Sequence, residues 1–210
     1  DRSDPDEDPI VNFRLTPEEC EEAVDTHGKR REEWLGGLRE KHIEPTERQA
    51  ALIEEAFGAI EEKLSSYGFD IPAIRRDRPH IIFLSRGDYW KEKEGKEEKH
   101  NNPDTLGFYD PNTNTVILWY KQTAWEKNQR NQEFLHTLTH ELLHAYSLRI
   151  LQVCTVRERE EAEDKLILSA HRSGLCLYKL GMPEKGRFRG LDEALTEDLA
   201  VEVTNEVVNR

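Results

Sequence analysis

Residues 136–147 read HTLTHELLHAYS, and three of the chain's eight histidines, His136, His140 and His144, recur there at every fourth position. A four-residue interval returns to one side of an α-helix, whereas a strand turns its side chain over at every step. The stretch therefore demands a helix with a histidine stripe, expected from about Asn131 to Leu151. Along such a helix His140 and His144 stand about 6 Å apart, so both imidazoles can aim a nitrogen at one cation without bending the backbone. Zinc suits the pair, because it accepts nitrogen ligands and imposes little geometry of its own. Glu141 points aside from the two histidines and can take a proton from a water activated by the metal. The plain alternative is a polar helix face with a few satisfied histidines.

HExxH is short enough to arise by chance, so a third ligand decides between these readings. The metzincin extension fails, because Ser147 and Ile150 stand where it needs Gly and His. His136 lies a turn before His140 and is awkwardly far from a metal between His140 and His144; it reads as a polar neighbour of the site. A better source is Gly190–Asp198, where Glu193 and Glu197 offer two carboxylates one helical turn apart. One can bind the metal while the other accepts a hydrogen bond from a ligand histidine. Asp192 is about 100° round the helix from Glu193 and is expected to cap the helix or face its positive end.

HELLH at 140–144 followed by LDEALTE at 191–197 resembles the gluzincin metallopeptidases, the thermolysin-like class, whose glutamate helix carries an Asn-Glu-Ala-x-Ser/Thr-Asp/Glu type motif. A hairpin just before the histidine helix adds to the resemblance, since gluzincins carry an edge strand there. The resemblance implies a zincin-like α+β fold, with a small, mostly antiparallel sheet, a hairpin edge strand packed on the HExxH helix and a C-terminal glutamate helix. It implies one Zn2+ held by His140, His144 and Glu193, with Glu141 as general base and Glu197 supporting a ligand histidine. The activity implied is hydrolysis of peptide bonds in a peptide or protein substrate. Asp192 departs from the family's Asn, and the gap between the two motifs is longer than in thermolysin. His171, Tyr146 and Tyr178 are candidate donors to the oxyanion. The strand containing Val116, Ile117 and Leu118 is the expected edge for an extended peptide.

Elsewhere the pattern supplies packing elements. Thr16-Pro17-Glu18-Glu19 and Thr46-Glu47-Arg48-Gln49 are capping boxes that open two helices. Ile53, Phe57, Ile60 and Leu64 form an apolar stripe on the second. His80–Leu84 reads as a strand. Leu106–Tyr120 reads as a hairpin turning at Asp110-Pro111. Residues 157–170 read as a helix, Gly174–Tyr178 as a short strand and Gly181–Gly190 as loop. Leu195, Leu199, Val203 and Val207 recur every four residues in a closing helix. The expected division is an acidic, disordered tail over 1–15, a helical extension over 16–45 and a zincin-like catalytic domain over 46–210.

A net charge of -13 argues against nucleic acid or an anionic membrane as partner, since both repel it. No apolar run approaches the ~20 residues of a membrane span. The three cysteines, Cys20, Cys154 and Cys176, form no C-x-x-C pair, so any metal must be held by histidines and carboxylates. Scattered thiols favour a reducing, cytoplasmic setting, and a start at Asp1 rather than Met leaves secretion open. Oligomeric state has no signature in the sequence. The competing function is a catalytically silent zinc-binding scaffold, against which Glu141 argues, because a structural site needs no base.

Overall fold

The computed structural model describes residues 10–12, 15–76, 78–94, 106–119, 128–147, 149–157, 165–173, 176–179, 182–187 and 189–209. Residues 1–9 of the expected tail over 1–15 lie outside them, as do residues 95–100, while Ile10–Asn12 of that tail form a strand. In chain order the elements are β1 (Ile10–Asn12), α1 (Pro17–Lys41), α2 (Glu47–Ser66), α3 (Ile71–Arg76), β2 (His80–Leu84), α4 (Arg86–Glu94), β3 (Gly107–Asp110), β4 (Thr115–Trp119), α5 (Asn128–Tyr146), β5 (Arg149–Arg157), β6 (Lys165–Ser173), β7 (Cys176–Lys179), β8 (Met182–Arg187) and α6 (Arg189–Val208). The protein is α+β. Among the described residues no helix is long and apolar enough to cross a membrane.

Two compact units emerge, Asp1–Trp34 with Leu148–Arg189 and Leu35–Ser147 with Gly190–Arg210. This differs from the expected single domain over 46–210, because residues 149–187 form their own sheet and recruit β1 from the N-terminal region. That sheet is antiparallel throughout, in the order β1-β5-β6-β7-β8. It also corrects three local expectations. The histidine helix ends at Tyr146 rather than Leu151, strands β5 and β6 occupy both ends of the expected helix 157–170, and β8 occupies the expected loop. The β-branched run Ile150, Val153, Thr155, Val156 favours a strand, and Met182–Arg187 is a strand through its pairing with β7.

In the helices, short-range signals act as expected. Thr46 caps α2: its side chain accepts the Gln49 N–H at 3.3 Å, and its own N–H reaches the Gln49 side chain at 2.7 Å. Thr16 and Glu19 make the same reciprocal box at the start of α1, at 2.7 and 3.2 Å. Ile53, Phe57 and Ile60 are buried in a core shared with Phe83 of β2, Val116 and Leu118 of β4, Leu138 and Leu142 of α5, and Val203 of α6. The α6 stripe is shifted from expectation: Val203 and Val207 are buried, but Leu195 is 54% exposed. Asp192, Thr196 and Ala200 hold the inward face instead.

The hairpin forms where expected. Asp110 caps its turn by accepting the Asn112 N–H at 3.1 Å and the Thr113 hydroxyl at 2.8 Å. Asn114 takes the left-handed conformation (φ 52°) that asparagine tolerates. Strand β4 pairs antiparallel with β3 and parallel with β2, giving the order β2-β4-β3. Val116, Ile117 and Leu118 are thus on the central strand, fully buried and paired on both sides. They are not an edge for strand addition; among the described residues the outer strands are β2 and β3.

Candidate metal centre

Helix α5 has three faces. Phe134, Leu135, Leu138 and Leu142 point into the core. His136, His140 and His144 form the polar stripe towards α6. Thr137 and Glu141 face the start of β3, where a Cβ built on Gly107 would lie 2.6 Å from Leu118 Cδ2, 3.1 Å from Thr137 Cγ2 and 3.3 Å from Glu141 Cγ. A side chain at 107 would push strand and helix apart, so glycine is what permits their approach.

The stripe meets α6 residue by residue. Glu193 Oε2 lies 3.3 Å from His140 Nε2 and 3.3 Å from His144 Nε2, and the two Nε2 atoms are 3.1 Å apart. Glu197 bridges the His140 and His136 rings, with Oε2 3.0 Å from His140 Nδ1 and Oε1 3.0 Å from His136 Nε2. Asp192 Oδ2 stands 3.5 Å from His144 Nδ1. Earlier positions on α5 thus meet later positions on α6, so the helices run in opposite senses at the site.

The chemistry of these contacts is unusual for a closed polar cluster. A carboxylate only accepts, so His140 presents Nδ1–H to Glu197, and Asp192 favours Nδ1–H on His144. In their neutral forms both rings are left with a lone pair on Nε2. Two lone pairs and a carboxylate oxygen then face one another at 3.1–3.3 Å. Such a group calls for positive charge at its centre. Bonds of about 2.0–2.1 Å in a tetrahedron place ligand atoms about 3.3–3.4 Å apart, close to the spacing found. His140, His144 and Glu193 are also the group of His, Cys, Asp and Glu side chains whose ligand atoms converge, all within 4.8 Å, among the described residues.

The electrostatics follow. A proton on Nε2 meets the same need for positive charge: hydrogen bonds that His140 and then His144 donate hold Glu193 well below the ordinary carboxylate range against the effect of burial. At His140 burial disfavours the imidazolium, but the hydrogen bond to Glu193 and the charge of Glu141 outweigh it, and the pKa rises. Burial dominates at Glu141 and raises its pKa, opposed by His144 and His140 and by the Tyr109 backbone N–H that its carboxylate accepts. Glu141 lies outside the converging trio and beside it.

Asp192, expected to cap the helix or face its positive end, lies in the first turn of α6, is 8% exposed and stands against Nδ1 of His144. The Tyr146 ring packs edge-on against Phe57 of α2 at 6.3 Å. It follows His144 by about 200° of helical turn. His171 and Tyr178 lie on β6 and β7, in the unit that does not carry the histidines. Gly107 was legible in principle, as a glycine opening a strand beside the histidine helix. No known protein family, curated protein or solved structure matches the chain.

Proposed function

We propose that His140, His144 and Glu193 hold one zinc ion and that the protein hydrolyses peptide bonds, with Glu141 as general base. The observation that carries the reading is the convergence of two Nε2 atoms and one carboxylate oxygen at tetrahedral spacing. Carboxylates behind both rings support it, because such partners fix tautomer and orientation in histidine–metal sites. Three protein ligands leave one position for substrate or water, as catalytic rather than structural zinc requires.

Zinc held there would polarise a scissile carbonyl and acidify a water. The chain's own contribution is positional. Glu141 stands next to the ligands without joining them, and takes the proton of the attacking water. The Tyr109 N–H and the close approach of Gly107 keep its carboxylate beside β3. The edge strand β3, rather than β4, offers backbone for an extended peptide. The placement of β3, α5 and α6 about the trio supports the reading of a compact, zincin-like gluzincin.

The test is zinc stoichiometry of the purified chain together with cleavage of an unfolded protein, before and after chelation. One zinc per chain, with activity lost on chelation and restored by zinc, supports the reading. A chain that takes no zinc refutes it. One zinc without cleavage under any condition favours the silent scaffold instead.

A further inference from the structure

We infer that His136 is a positioning residue for the metal site, acting through Glu197, and that zinc affinity depends on it. The inference rests on the zinc reading above and adds a residue that the ligand set does not include. Its basis is one carboxylate shared by two imidazoles: Glu197 Oε1 is 3.0 Å from His136 Nε2, and Oε2 is 3.0 Å from His140 Nδ1.

Glu197 has to hold His140 in one orientation, yet its own side chain is 52% exposed. An exposed glutamate with one ionic partner keeps most of its rotamer freedom and exchanges that partner readily with water. A second donor on the other oxygen removes the freedom, because the carboxylate plane is then defined at both ends. His136 supplies that donor from the same helix and the same stripe, one turn before His140. The order of contacts is His136 Nε2–H to Glu197 Oε1, and Glu197 Oε2 to His140 Nδ1–H. His140 Nε2 is thereby kept as the lone pair facing His144 and Glu193. This explains why the histidine stripe has three members when only two converge with Glu193.

A zinc titration of the full chain against a competing chelator tests this, with His136→Ala, His136→Gln, Glu197→Ala and the His136→Ala/Glu197→Ala double variant. Alanine at 136 preserves the helix, being the best helix former. Glutamine places an amide N–H near the position of Nε2. His136→Ala should weaken zinc about tenfold, the lower end of the range for partners lying outside the ligands. His136→Gln should recover most of the loss, and the double variant should bind no more weakly than Glu197→Ala alone. The visible spectrum of the Co2+-loaded protein should shift in His136→Ala and return towards wild type in His136→Gln. Native zinc affinity in His136→Ala, or an equal loss with and without Glu197, overturns the inference while leaving the zinc site standing. A wild-type chain that binds no zinc overturns both.

Discussion

Glu61 on α2 and Glu193 on α6 are both carboxylates held between two nitrogen-bearing side chains of one unit, yet their partners differ in kind. Glu61 lies between guanidinium groups, 2.8 Å from Arg75 Nε and 2.7 Å from Arg78 Nη2. Arginine is always charged and only donates. Burial raises the Glu61 pKa, the hydrogen bonds from Arg78 and then Arg75 more than offset it, and the carboxyl ends below its ordinary range. Its charge is answered within the protein. Glu193 instead faces two imidazoles whose Nδ1 atoms are turned to other carboxylates. Imidazoles carry charge only when protonated, so no permanent cation faces Glu193. The difference separates a carboxylate answered by fixed charges from one whose partners can hold either a proton or, on the proposed reading, a metal.

Four experiments break or sharpen that contrast. The largest effect is expected from Glu141→Gln, which should lower hydrolysis by about 10²–10⁴-fold, the usual share of a general base. Zinc stoichiometry measured on the same sample should stay unchanged, and full activity in the zinc-loaded variant would remove Glu141 from the mechanism. Next is the order of zinc affinities in the carboxylate series. Glu193→Ala should lose more than Glu197→Ala or Asp192→Ala, for which about 10–100-fold is expected. Chelator competition gives the ranking, and native affinity in Glu193→Ala would show that the trio is not the ligand set.

The closed cluster should respond in stability rather than metal binding. Glu61→Gln should cost about 2 kcal/mol in denaturant unfolding at neutral pH, in the range of charged hydrogen bonds, with zinc affinity untouched. The sign of its pH dependence follows from the depressed pKa. The unfolded carboxyl titrates near 4.5 and the folded one below that, so the stabilisation is complete above about pH 5 and fades as pH falls through the folded value. Wild type and variant should therefore converge in acid, and a gap that widened there would contradict the ion-pair account. The smallest effect is expected from Gly107→Ala, about 1–3 kcal/mol for overpacking. Its added methyl meets Leu118, Thr137 and Glu141. An alanine variant as stable and active as wild type would show that α5 and β3 can separate without consequence.

Much of the helical framework and the hairpin is written locally. Capping boxes at Thr16 and Thr46, the Ile53–Ile60 stripe and the Asp110 turn all depend on residues a few positions apart, and each forms as its spacing predicts. The interval between His140 and His144 likewise guarantees two imidazoles on one face wherever the helix packs. Tyr146 was also decidable from helical phase, since it points well away from the histidine stripe.

What sequence alone settled, then, is the capped helices α1 and α2, the histidine helix, the closing helix, the hairpin and the pairing of two histidines, because periodicity and caps act within a few residues. Tertiary structure decided the rest. Which strand is the edge depends on β2 pairing in parallel with β4, across the intervening helix α4 and strand β3. The second sheet takes its edge strand β1 from the far end of the chain, pairing Ile10 with Arg157, which no local window contains. The role of Asp192 depends on α5 and α6 running in opposite senses, which brings its carboxylate to the back of His144. Each of these is a contact between residues far apart in the chain, and only the packed core holds such residues together.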